Sequence, residues 1–183
     1  MRHNFNFKDV LAISTRPGWT IEEVLPPRAE LDHGRRFMPE NLARTAAIPF
    51  LTEDEARILN QIRGHEYLAL FGLVEEFILP FVLDHARPQL SGDDHRVRAL
   101  LQFASEEAKH IHLFKEFQRL FAESFSTECA LIGPPEAVAA EVLRHDPLAV
   151  ALVILHIEWM TQLHYLVSIK DDGGLDPLLR SLL

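Results

Sequence analysis

The sequence predicts an all-α bundle of long helices, and three observations carry that expectation. Thr52-Glu-Asp-Glu55 has the capping-box pattern, in which a hydroxyl and a carboxylate satisfy the free backbone N–H groups at a helix start. Apolar residues then recur at steps of three or four, or their sums, through Ile58, Leu59, Ile62, Leu70, Leu73, Val74, Phe77 and Phe81. The sustained apolar–polar alternation of a β protein is absent.

Taken in order, residues 1 to about 50 are interrupted by Pro17, Gly18, Pro26, Pro27, Gly34, Pro39 and Pro49 and show no sustained period, which reads as an irregular arm wrapped over the bundle. Residues 51–183 form the bundle. A first long helix is expected over about 52 to 86, with a kink at Pro80, whose ring crowds the carbonyl of Glu76. The turn at Arg87 to Gly92 leads to a second helix, capped by Asp93 or Asp94 and reaching about Glu123, with Val97, Leu100, Leu101, Ala104, Ala108, Ile111 and Phe114 facing inward. The pair makes a helical hairpin. A looser stretch precedes a short helix at about Glu136 to Arg144, and Pro147 opens a third long helix reaching about Ile169. Asp176-Pro177 starts one more short helix.

Length and composition set bounds on function. A chain of 183 residues is expected to form one domain around a substantial core. Eighteen Lys and Arg against 27 Asp and Glu give a net charge of −9, which argues against binding nucleic acid. Cys129 is alone, so no internal disulfide or cysteine-built metal site is available and a reducing cytoplasm is the expected location. The first ten residues do not resemble a secretory signal. The apolar runs at 68–83 and 148–155 either contain Glu75, Glu76 and Pro80 or are short, so no membrane insertion is expected.

Part of the acidity lies inside apolar stretches, where an ionised carboxylate is costly without a cation or several donors. Glu107-Ala-Lys-His110 places a carboxylate and an imidazole one turn apart on one helical face. Glu158 is the one acid in PLAVALVILHIEWMTQLHYLVSI, amid side chains expected to be mostly buried. Glu75 and Glu76 sit in GLVEEFILPFVL. The line of Glu76 passes small Ala69 and Gly72, which would leave room for an ion, and that favours Glu76; the line of Glu75 passes bulky Leu68, Phe71 and Ile78. Salt bridges to arginines such as Arg63 or Arg98 are the structural alternative for these acids. His65, His156 and His164 read as partly buried structural histidines, and Glu106 and His112 fall off the Glu107–His110 face.

Together these residues resemble the ferritin-like di-iron carboxylate superfamily, in which Glu, Glu-x-x-His, Glu and Glu-x-x-His on four helices converge in the bundle core. The interval from Glu76 or Glu75 to Glu107 is 31 or 32 residues, as suits two helices of a hairpin. Within the superfamily the chain is similar to the p-aminobenzoate N-oxygenase-like di-iron oxygenases. The resemblance implies metal ligands at Glu75 or Glu76, Glu107, His110 and Glu158, two iron ions or manganese, and oxidation of a small organic substrate by dioxygen. A last Glu-x-x-His helix would fall roughly 30 residues after Glu158, just past Leu183, so this fourth ligand helix looks truncated. A non-catalytic metal-binding or purely structural bundle is the alternative. An uncovered groove between the first and third helices would drive the chain into a homodimer or draw the arm into the gap.

Overall fold

The computed structural model describes residues 5–14, 18–125, 129–130 and 133–183, and within them the chain is an all-α bundle with no strand. Its elements are α1 Phe7–Ser14, α2 Ile21–Val24, α3 Glu40–Ala43, α4 Glu53–Ala86, α5 Asp94–Ser124, α6 Pro135–Leu143, α7 Pro147–His164 and α8 Pro177–Leu182. A 3-10 turn, Arg87–Gln89, follows α4, and a π turn, Tyr165–Ile169, continues α7.

The starts follow the local chemistry. Thr52 and Glu55 form the reciprocal capping box of α4, and Asp93 rather than Asp94 caps α5 by accepting from the His95 N–H. Proline opens α6, α7 and α8, where its missing N–H is no loss. Helix α4 continues through Pro80.

Helices α4 and α5 are the hairpin that organises everything else, and they close around two apolar clusters. One joins Leu68, Leu113, Phe114, Phe117 and Phe121 to Leu31 and Phe37 of the arm and to Leu179 and Leu182 of α8. The other joins Phe77, Ile78, Val82 and Ala104 to Ala139 of α6 and Val150 and Ile154 of α7. On α4 and α5, Glu75 and Glu107 fall between these clusters. Leu101 and Ala108, expected inside, face solvent, because the covered face of α5 follows Ala104, Glu107 and Phe114.

The arm is more ordered than its prolines suggest. It carries three short helices, α2 being closed by a second capping box at Thr20 and Glu23. Its segment 31–38 is held by buried polar side chains. Asn60 Oδ1 accepts from the backbone N–H of Phe37 and Met38 at 2.9 and 3.0 Å, and its Nδ2 donates to the Met38 carbonyl. Gln61 donates to the carbonyls of His33 and Arg35, and buried Asp176 accepts from the Asp32 N–H while capping α8. Gly64 lets the arm approach this closely, since a Cβ there would lie 2.6 Å from the Phe37 Cβ.

Helix α7 departs from expectation. Only Val150 and Ile154 of α7 are fully buried, whereas Leu148, Leu152, Leu155, Trp159 and Leu163 are exposed, because nothing among the described residues covers its outer face. His156 is likewise exposed rather than partly buried. Taken whole, Pro147–Ile169 is long and apolar enough to cross a membrane, a span missed by considering residues 148–155 alone.

Replacing Asn60 by alanine strands two buried N–H groups, at about 1–3 kcal/mol for each unsatisfied group. Urea unfolding is expected to show a loss of at least about 2 kcal/mol, while Asn41→Ala, at an exposed position, stays close to wild type.

Candidate metal centre

At the seam between the two clusters, Glu75 of α4 meets Glu107 and His110 of α5. The helical spacing of three sets Glu107 and His110 on one face, and their side chains touch, His110 Nδ1 lying 3.1 Å from Glu107 Oε2. The same nitrogen is 3.5 Å from Glu75 Oε1. One potential ligand atom from each residue falls within 4.8 Å of the other two, the compactness a single ion requires.

The two carboxylates are almost wholly buried, Glu75 at 6% and Glu107 at 3% exposure. Among the described residues no arginine or lysine pairs with either, and their ion-pair partner is His110. Glu75 Oε2 is buried with no donor group facing it, so only a proton shared with Glu107 or a bound cation satisfies it. Arg98, one of the arginines that could have paired with these acids, pairs with Asp94 instead.

Electrostatics follow from this crowding. Burial, first, and the neighbouring Glu107 carboxylate push the Glu75 carboxyl up to about 8 against the pull of His110. Burial also acts to raise Glu107, but hydrogen bonds from His110 and from the protonated Glu75 outweigh it and hold Glu107 below the usual range. His110, although burial opposes its charge, is held up to about 10 by the two carboxylates. The acid pair thus shares one proton, with a second on the imidazole. Protons occupy the role a metal cation would take.

Glu158 of α7 is half-buried and lines the same cavity as Glu75 and His110, outside the compact triad. Burial, then the negative charge of Glu107, raises its carboxyl. The cavity, about 480 Å³, lies between α4, α5, α7 and α8 and is walled by Phe71, Val74, Phe114 and Ile157, with Thr161 and Gln162 as polar points. Phe71 lines it, whereas Phe77, Phe103 and Leu155 do not.

Glu76 is the correction. It turns away from the triad toward Lys115, 3.5 Å distant, and is partly solvated. Gly72 on its line faces α5, where a Cβ would stand 3.6 Å from the Phe114 Cβ and 3.7 Å from the Gln118 side-chain nitrogen. The bulky line of Glu75 is the core-facing one.

The other assignments sort by contact. His65 is buried and stacks on Phe121, His164 Nδ1 lies 2.6 Å from the Tyr67 hydroxyl, Glu106 pairs with Lys109, and His112 is exposed. Sequence reasoning missed Trp19. Its indole stacks on the His110 ring with centroids 5.6 Å apart and is itself capped by Lys109 Nζ at 4.4 Å from its centroid. The capping box beginning at Thr20 was the one local signal that this part of the arm is ordered. Comparison with family models, curated proteins and solved structures finds no match for this chain.

The donor set fits a hard or borderline divalent ion. Binding must expel the proton of Glu75 and that of the His110 nitrogen facing it, so Mn²⁺ affinity is expected to rise with pH through about 8 and on toward about 10, with proton release detectable by calorimetry in buffers of different ionisation enthalpy. Without metal, a raised Glu75 pKa contributes stability that is complete below its unfolded value and is lost as pH rises through about 8. Glu75→Gln is therefore expected to raise the metal-free Tm above pH 8 by a few degrees and to abolish the Tm gain from Mn²⁺, whereas Glu76→Gln leaves both unchanged.

Proposed function

We propose that this chain is a ferritin-like non-haem iron protein that uses dioxygen to oxidise a small organic substrate. The observation that carries the reading is the buried, arginine-free pair Glu75 and Glu107 with His110, one carboxylate oxygen being left without a partner at the cavity wall. A protein gains nothing in stability from such a pair, and a bound cation offsets its burial.

In this reading Glu75, Glu107 and His110 would hold iron, with Glu158 across the cavity as a further carboxylate for a second ion. Manganese suits the same oxygen and nitrogen donors. Iron, when bound, supplies the redox chemistry with dioxygen. The chain's own residues orient and shield. Trp19 stacks on the His110 ring from the arm side and holds its orientation. Phe71, Val74 and Ile157 offer an apolar wall that excludes water and accepts the hydrocarbon part of a substrate, while Thr161 and Gln162 supply points for its polar groups. The lone Cys129 accords with a cytoplasmic setting.

A second reading, a metal-holding bundle without turnover, is favoured by one observation: the compact triad offers three ligands, fewer than two ions need. Anaerobic Fe²⁺ titration followed by dioxygen uptake separates the two. Two irons per chain with uptake lost in Glu107→Ala is the expected result. One iron without uptake selects the non-catalytic reading, and no iron above background rules out both.

A further inference from the structure

Helix α7 and its π turn carry a stripe of large apolar side chains on the face opposite the bundle: Leu148, Leu152, Leu155, Trp159, Leu163 and Leu166, spaced four, three, four, four and three apart. All are exposed, Trp159 to 72%. With the flanking Val153, Met160 and Val167, exposed to 49, 42 and 69%, they make a run of nine large bare apolar side chains, more than the few hundred Å² a monomer leaves in one patch and on the order of the ~800 Å² per partner of a stable dimer.

We infer that this stripe is a two-fold interface with a second copy of the chain, in which α7 packs antiparallel against its equivalent. The order of the side chains supports a copy over an unrelated partner. Reversal about residue 157 carries 148 onto 166 and 155 onto 159, and sets 152 opposite 162, beside Leu163. An isologous interface requires this self-complementarity, since each residue must meet its opposite number twice. Leu155 then packs on Trp159 of the partner subunit. The stripe also contains no charged residue on a chain of net charge −9, so two copies meet through it without local repulsion and no charge pattern selects a different protein.

A bilayer is the competing apolar environment for a helix of this length. The other face of α7 argues against it. Val150 and Ile154 are buried in the core beneath α6 and α4, and Glu158 faces the cavity of the metal centre, so spanning would strip that packing and carry a carboxylate into hydrocarbon.

Sedimentation equilibrium of the full chain is expected to give a dimer with Kd of about 1 µM or tighter. Trp159→Glu should weaken it at least about 100-fold with an unchanged far-UV spectrum, because the side chain makes no part of the core. The register is tested by pairing substitutions: Leu155→Lys combined with Trp159→Glu sets opposite charges across the dyad and restores association relative to Trp159→Glu alone. A wild-type monomer at high micromolar concentration, a dimer indifferent to Trp159→Glu, or a monomer that partitions onto phosphatidylcholine vesicles would each overturn the inference. These readouts do not depend on metal, so they stand or fall separately from the iron reading.

Discussion

Two carboxylates lie 6% and 3% exposed beside one imidazole, at a level of the α4–α5 hairpin with apolar clusters above and below. In a low-dielectric interior two adjacent acids cannot both ionise without a cation, so the metal-free molecule keeps one of them protonated and charges the histidine. Much of the fold follows from carrying that arrangement. The clusters on either side supply the burial that offsets it, and the cavity gives it access from one direction.

The arm completes this enclosure through hydrogen bonds rather than through a large apolar face of its own. Asn60 and Gln61 on α4 and Asp176 at the start of α8 saturate the backbone of segment 31–38, which would otherwise lie unsatisfied between helices. With the arm seated, Trp19 reaches His110, and Lys109 grips the indole from above and donates to the Trp19 carbonyl. The region richest in proline thus supplies the cover of the most polar part of the interior.

Helix α7 has the opposite character. It is apolar nearly all round, a pattern that belongs to a helix surrounded by packing. Yet the bundle covers only its Val150–Ile154–Ile157 side. Its one acid, Glu158, marks the edge of the inner face, where α7 borders the cavity, and its outer side is built from leucines and a tryptophan. Among the described residues the burial of such a helix is unfinished.

Much of this was legible in residue order. The capping box at Thr52, the steps of three and four along α4 and α5, and the prolines at helix starts encode elements through contacts within a few residues, which are local and periodic. The same logic identified Glu107 with His110, since a spacing of three defines a shared face wherever the helix lies, and singled out Glu158 by its isolation among apolar neighbours. The choice of Glu75 over Glu76 was settled only in three dimensions. The two differ by a rotation of about 100°, and what separates them is the arrival of Glu107 and His110 beside Glu75 and of Lys115 beside Glu76, contacts between distant residues. Trp19 above His110 and the bare outer face of α7 were invisible for the same reason. Periodicity states which residues share a side of a helix, whereas which side is covered depends on the other segments that arrive there, and that information resides in long-range packing.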